Sequence, residues 1–407
     1  MFHTSAQYNK MTTNAKKPNL NKTTKTLTMQ GTADYKANIA IVGAGPAGSY
    51  CALQLIEAFR ENACNNYHIT LFDQLDTLTT ILPTGNGRCN LTFDETDFKK
   101  FASYYPRGEK FLYSILSRYS TLETRSYFEK IGIKTYTQPD RRVFPVSNSA
   151  KTLRTQMILE LNKSQNLKII KKCIKNAKEL DKFNILVLAT GSKDRHKLAS
   201  QLGHTIIPYK PSLCGLKIKD KGPNFPTGVS IHTPDGGIIF THQGISGPAI
   251  FKISSIKVNS TLPYTIKIPI LNPDEVFEHI KINPVKSFGN IISEFIPKSL
   301  AKYIFEKNNI NFEKQACHAK KIEVETLSTL VFIIEGPDGK GEIVHAGGVC
   351  LNEIDKNCKS KINDKLWIIG ETLDIDGFCG GFNLQNCWST AKIAAEDIVK
   401  TALYNQN

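Results

Sequence analysis

The stretch NIAIVGAGPAGSYCALQL, Asn38 to Leu55, decides how the rest of the chain is read. A short apolar run reaches Val42. Gly43, Gly45 and Gly48 follow, with Pro46 and Ala47 between them, and a helical pattern continues to about Arg60. Strand, tight turn and helix in this order form the setting that a GxGxxG dinucleotide fingerprint needs. Gly43 permits the turn, Gly45 lets a pyrophosphate approach the backbone, and Gly48 lets the helix pack close to the strand. The pyrophosphate then meets free N–H groups at the positive end of the helix. A second strand should follow and end in an acid, and YHITLFD, ending at Asp73, does so. The segment RENACNNY lengthens the connection beyond the usual spacing. The Asp73 carboxylate is expected on ribose hydroxyls, where it would repel a 2′-phosphate.

A second glycine-rich entry into a helix lies near the other end. KLWIIGETLD (Lys365–Asp374) is an apolar strand closing on Gly370 and Glu371; GFCGGFNLQN is a turn, and CWSTAKIAAEDIV a helix. A cofactor lying extended across a sheet needs two such turns. Its AMP half sits at the first, and its flavin half lies near a late strand whose carboxylates reach ribityl hydroxyls. The following helix aims its N-terminus at the flavin, where the dipole stabilises negative charge. This favours FAD over NAD. FNILVLATGS (Phe183–Ser192) supplies a further strand, closing on Thr190 and Gly191.

The quoted segments, together with TGNGRCNLT (84–92), RVFPVSNSA (142–150), QLGHTIIPYKPSL (201–213), FTHQGISGPAI (240–250), HAGGV (345–349) and GETLDIDGFCGGFNLQN (370–386), resemble the BaiN/RdsA-type NAD(P)/FAD-dependent oxidoreductases. That bacterial flavoprotein family also has aminoacetone-oxidase-like members. The resemblance spans about residues 38–400 and implies an α/β fold: a discontinuous Rossmann-like FAD-binding domain with inserted β-barrel-like and small helical domains. The expected division is a disordered basic tail at 1–36, FAD-binding segments at 37–205 and 342–407, β segments at 206–270 and 321–341, and a helical cap at 271–320. Alternating apolar and polar residues with Gly/Pro/Asp turns support strands in 206–270, and helical spacing supports the cap.

The chain departs from the family pattern in places. Leu78, Thr79 and Thr80 stand where Gly-Arg-Lys is usual, and Asp140-Arg141-Arg142 replaces Gly-Gly-Arg. The loop after Ser192 is short, His345 replaces Thr, and Phe382 replaces Tyr.

Site expectations follow. Asn86, Arg88 and Asn90 would touch FAD or frame its flavin. Glu371, Asp374, Gly370, Gly380, Gly381, Asn383 and Gln385 belong to the flavin half. Asp376 is read as capping the turn and Cys89 as a buried structural thiol. Two candidates for catalysis are His242, as acid or base, and Arg142, as a bidentate carboxylate binder.

The 407 residues carry a net charge of +15, from 52 basic and 37 acidic side chains. Lysines are scattered, so a Lys- and Asn-rich composition accounts for the excess, and no nucleic-acid partner is expected. None of the ten cysteines forms a CxxC pair, which argues against a disulfide reductase or zinc site and for reduced thiols in a cytoplasm. No apolar run reaches the roughly 18–20 residues of a membrane span. The leading expectation is an FAD oxidoreductase, reduced by a transiently docked NADH or NADPH, acting on a small organic substrate. Three alternatives stay open: an oxidase of small amines, an FAD-dependent RNA-modifying or RNA-binding protein, and a flavin-bound protein without catalysis. Oligomeric state is left open.

Overall fold

The computed structural model describes residues 37–192, 197–339 and 344–404. The tail at 1–36 and positions 193–196 of the loop after Ser192 lie outside the described residues.

Five parallel strands form the central sheet: β1 (Ala37–Val42), β2 (Tyr67–Asp73), β3 (Leu167–Lys171), β4 (Ile185–Leu188) and β5 (Leu366–Ile368). Their order is β5-β4-β1-β2-β3. From β1 the chain builds outward through β2 to β3, then returns to the other flank of β1 for β4 and β5. The order therefore reverses between β1 and β4, and a crevice opens there at the carboxyl ends of the strands. The edge strand β3 carries Lys168 and Lys171 and is largely exposed, but β1, β4 and β5 are apolar along almost their whole length, and Ile39, Ile41, Val187, Leu188 and Ile368 are fully buried. That is the pattern of a sheet covered on both faces.

The first helix (Pro46–Glu61) supplies the crossover from β1 to β2 and packs along the final helix (Phe382–Tyr404). Buried Trp388 stands between them, its ring 5.1 Å from that of Tyr50 and 5.2 Å from that of Phe128. Its indole N–H donates to Leu91 O at 3.0 Å, as a buried indole requires.

A second apolar core lies wholly within residues 216–334. A six-stranded antiparallel sheet forms one side of it, in the order 230–233, 236–240, 244–246, 216–218, 329–337, 264–269. Thr329–Pro337 alternates strictly, with Leu330, Phe332 and Ile334 buried and Val331 and Ile333 exposed. Helices Pro273–Ile282, Phe288–Ile292, Lys298–Lys307 and Lys321–Leu327 complete it. Two local readings change. Lys321–Leu327 is helical rather than extended, because Val324 and Leu327 sit three apart and both enter the core. Pro248–Ile256 is a helix within the stretch read as strands; Gly247, at φ +103°, turns the chain and Pro248 occupies the first helical position.

The ribbon of Ile206–Ser212 against Val344–Val349 joins the two cores. A buried ion pair sits beside it. Asp376, fully buried, accepts from the Arg107 guanidinium and from Ser212 Oγ at 2.7 Å. Arg107 also donates to Ser255 O and Ser255 Oγ, both at 2.9 Å. Asp376 thus does not cap its own turn: its carboxylate is committed to a guanidinium from a distant segment. No described helix is long and apolar enough to cross a membrane.

Removing one partner of a buried pair costs about 3–5 kcal/mol. Arg107→Met is therefore expected to lower the urea midpoint markedly. Lys281→Ala, at an exposed pair with Glu278, is expected to move stability by no more than about 0.5 kcal/mol. Equal shifts in the two variants would refute the assignment.

Candidate active site

A cleft with a volume of about 400 Å³ opens at the carboxyl ends of β1, β4 and β5. Gly43, Ala44, Gly45, Pro46 and Ala47 line it on one side, and Glu371, Leu384 and Cys387 on the other. The two glycine-rich turns, distant in sequence, face one space.

Three close approaches bring them together. A Cβ on Gly43, at φ +108°, would lie 2.1 Å from Ala189 O at the end of β4. One on Gly48 would lie 1.8 Å from Gly43 O. One on Gly370, at φ +63°, would lie 2.7 Å from the Ala47 side chain, so the second turn rests directly on the first. The Gly370 N–H is held by Thr390 Oγ1 at 3.0 Å from the final helix.

The first helix starts at Pro46 after Gly45, with no side chain capping its amides. Helix-start N–H groups without intrahelical partners favour an anion. Asp73, at the end of β2, accepts from Ala44 N–H at 2.6 Å and Leu75 N–H at 2.8 Å, so it braces the turn while lining the cleft. Thr190 and Gly191 line the β4 side. The Gly191 N–H donates to Thr372 Oγ1 at 3.1 Å.

Glu371 lines the cleft. Burial, reinforced by the nearby Asp376 carboxylate, pushes its carboxyl up to about 7. Asp374 is held just outside, accepting from Gly347 N–H at 3.0 Å; burial raises its pKa as well.

Other expected site residues stand apart from this lining. Gln385 is fully buried in the protein, donating to Thr124 Oγ1 at 2.7 Å and Ser389 Oγ at 2.8 Å and accepting from Thr92 Oγ1 at 2.6 Å. Asn383 closes its own turn through both Gly377 backbone groups, at 2.8 and 2.9 Å. Gly381, at φ +94°, lies against the Thr92 carbonyl, and Gly380 has φ +145°. In the loop at 84–90 only Thr84 lines the cleft. Asn86 is exposed, the Arg88 guanidinium lies 4.3 Å over the Phe144 ring, and buried Asn90 keeps Oδ1 without a partner among the described residues. Cys89 is fully buried, and that burial pushes its thiol up to about 12, which suits an inert structural role. Arg142 pairs with Asp140 at 2.6 Å. His242 is exposed on the turn between Gly236–Phe240 and Gly244–Ser246. Neither lines the cleft.

Sequence reasoning missed several lining residues. Thr79, Thr80, Ser192 and His345 all line the cleft, with Ser192 Oγ 3.4 Å from His345 Nδ1. The signal was present: each lies at or beside a departure from the family pattern. Leu384 and Cys387, which also line it, carried no such signal.

Residues 37–397 match the family described as the HI0933-like protein Rossmann domain. A 3-dehydro-bile acid delta(4,6)-reductase of Clostridium scindens is 26% identical, over 88% of this chain and 97% of its own. A ribosomal RNA dihydrouridine synthase of Haemophilus influenzae is 26% identical, over 90% of this chain and 99% of its own. Among solved structures, an open-conformation flavocytochrome c3 fumarate reductase aligns with a TM-score of 0.42 and 13% identity, over 91% of this chain and 79% of that one.

The raised Glu371 pKa carries a signed pH dependence. An unfolded Glu ionises near about 4.3, whereas the folded chain holds this one neutral up to about 7. Its contribution to stability is full below the unfolded value and is lost as pH rises through the folded one. Glu371→Gln abolishes that loss. In protein without cofactor, the variant's stability relative to wild type is therefore expected to rise by on the order of 2 kcal/mol between about pH 5 and pH 7.5. Parallel thermal-melt profiles would contradict this.

Proposed function

The chain belongs to the HI0933-like protein Rossmann-domain family, and from that membership we propose that it is an FAD-dependent oxidoreductase reduced by NADH or NADPH. The observation that carries the proposal is the convergence of both glycine turns on one cleft. The cleft fits a dinucleotide. A side chain at Gly43 or Gly48 would collide with backbone, the helix start is uncapped, and an acid stands at the end of β2.

In this reading Gly43, Gly45, Pro46, Ala47 and Gly48 hold the pyrophosphate, and Asp73 keeps a free lone-pair direction for ribose hydroxyls. Thr190, Gly191, Gly370 and Glu371 border the stretch toward the flavin. The bound flavin would supply two-electron transfer between donor and substrate. Around it, Glu371, whose carboxyl is pushed up to about 7, offers an O–H as a hydrogen-bond donor in its protonated form, and Leu384 and Cys387 exclude water from that side. Thr79 and Thr80 stand beside the pyrophosphate turn, where a Cβ on Gly45 would come 3.4 Å from Thr80 Oγ1. His242 and Arg142 remain candidates for substrate contact only if the substrate spans beyond the cleft. The bile-acid reductase relative supports reduction of a small organic molecule.

A second reading is reduction of a base in RNA. The dihydrouridine synthase relative, matched over 99% of its length, motivates it. It requires RNA binding that weakens steeply with salt; no binding at low salt would end it.

The first test is the visible spectrum of the purified protein with added FAD, before and after anaerobic NADPH and then NADH. A flavin spectrum that bleaches promptly is expected. A spectrum that stays oxidised with both nucleotides removes the donor half of the proposal and favours an oxidase. No bound flavin at all removes the whole.

A further inference from the structure

The cleft offers helix-start amides to an anion, yet its charged lining is acidic. Asp73, Asp76 and Glu371 line it, and among the described residues no Lys or Arg does. A dinucleotide brings a pyrophosphate that stays ionised at physiological pH. The uncapped N–H groups before Pro46 meet it with partial charge only. His345 is the one described lining residue able to carry a full positive charge.

Two contacts place its ring. A Cβ on Gly43 would meet Ala189 O at 2.1 Å and Thr190 N at 3.2 Å, so the pyrophosphate turn abuts the end of β4. Two residues beyond Thr190, Ser192 Oγ lies 3.4 Å from His345 Nδ1. The imidazole therefore reaches from the strand Val344–Val349 to the segment that borders the pyrophosphate turn. Pairing with Ile206–Ser212 puts His345 opposite Pro211 and Lys210 opposite Ala346. Neighbouring residues of a strand point to opposite faces, so Lys210 is on the other face of the ribbon, where its ammonium donates to Asn259 Oδ1 at 2.9 Å.

Other ionisable groups surround the imidazole. From 366–374 come Glu371, whose carboxyl burial pushes up to about 7, and Asp374, which accepts from Gly347 N–H. The end of β2 and the turn after it bring Asp73, which accepts from two backbone amides, and Asp76, paired with Lys171 at 2.8 Å. The final helix brings Cys387, whose thiol is raised well above its usual range by burial and stays neutral.

A neutral imidazole leaves the pyrophosphate among carboxylates. A protonated one adds a positive charge and an N–H donor at each ring nitrogen. Protonation of the ring and binding of the anion then favour each other, by reciprocity of linkage.

We propose that His345 is a cofactor-binding residue whose protonated ring offsets the charge of the pyrophosphate, so that the cleft holds the dinucleotide more tightly as pH falls. This rests on the flavin reading above. Histidine is the side-chain type whose charge changes between about pH 5 and 8, so the response falls in that range. Glu371 acts with the same sign, because its ionisation above about 7 adds negative charge to the cleft. Substitution separates the two.

The test is equilibrium dialysis of FAD against the flavin-free full chain, at constant ionic strength, from about pH 5.5 to about pH 8.5. Wild type is measured first, then Glu371→Gln, which removes the contribution of that carboxyl. In Glu371→Gln the Kd for FAD is expected to rise about tenfold or more across the range, the effect of losing one hydrogen bond to a charged group. Adding His345→Thr is expected to give a flat profile at the weak, high-pH value. Adding His345→Arg is expected to give a flat profile at the tight, low-pH value, a rescue that a merely structural histidine would not show. Parallel profiles with and without His345→Thr, while FAD still binds, would leave the flavin reading standing and overturn this inference. Equal Kd values for His345→Arg and His345→Thr would overturn it too. Wild type that binds no FAD at any pH would remove the flavin reading itself, and this inference with it.

Discussion

Everything near the cleft depends on the chain's having no side chain at three places where backbones meet. Gly43 lies under the end of β4, Gly48 lies on Gly43, and Gly370 lies on Ala47. A methyl group at any of them would occupy space already filled, two of the three by backbone oxygen. These contacts set how close β1, β4 and β5 come at their carboxyl ends. They also determine that the first helix and the end of the last strand share a wall. The cleft is what remains between them.

That arrangement must be held against a large inserted segment, and the chain does so with polar groups out of water. Arg107, Asp376, Ser212 and Ser255 come from four separate stretches and satisfy one another at the junction of the two cores. A second tie lies at the base of the insertion. His204 Nδ1 is 2.9 Å from Glu353 Oε2, and Nε2 is 2.9 Å from Ser360 Oγ, which joins the strand leaving the first core to the loop returning to it. Such groups add little net stability when complete but are costly when broken.

The same clustering shapes the chemistry. Glu371 is on the cleft wall, and Asp376 lies close enough for its charge to raise the Glu371 pKa. Asp376 stays bound to Arg107. One carboxylate is spent on architecture while its neighbour is kept near neutrality at the site. This division of roles between two acids is set by environment, since their side chains differ by a single methylene.

Local pattern determined what depends on local geometry. The turn at Gly43–Gly48, the apolar strands, the acid ending β2 and the second glycine entry at Gly370 were all legible, because each rests on steric limits or periodicity within a few residues. The family resemblance added the insertion. What stayed illegible depends on contacts between distant segments. Gln385 and Asn383 carry motif residue types yet bond inward, because the register of the final helix turns Gln385 toward Thr92 and Thr124. Asp376 meets Arg107 across a sequence separation of 269 residues. His345 reaches the cleft through the pairing of Val344–Val349 with Ile206–Ser212, whereas His242 is left on an exposed turn. A side chain's type is written in the sequence. Its direction, burial and partners are set by which segments pack against it, and only the tertiary structure decides those.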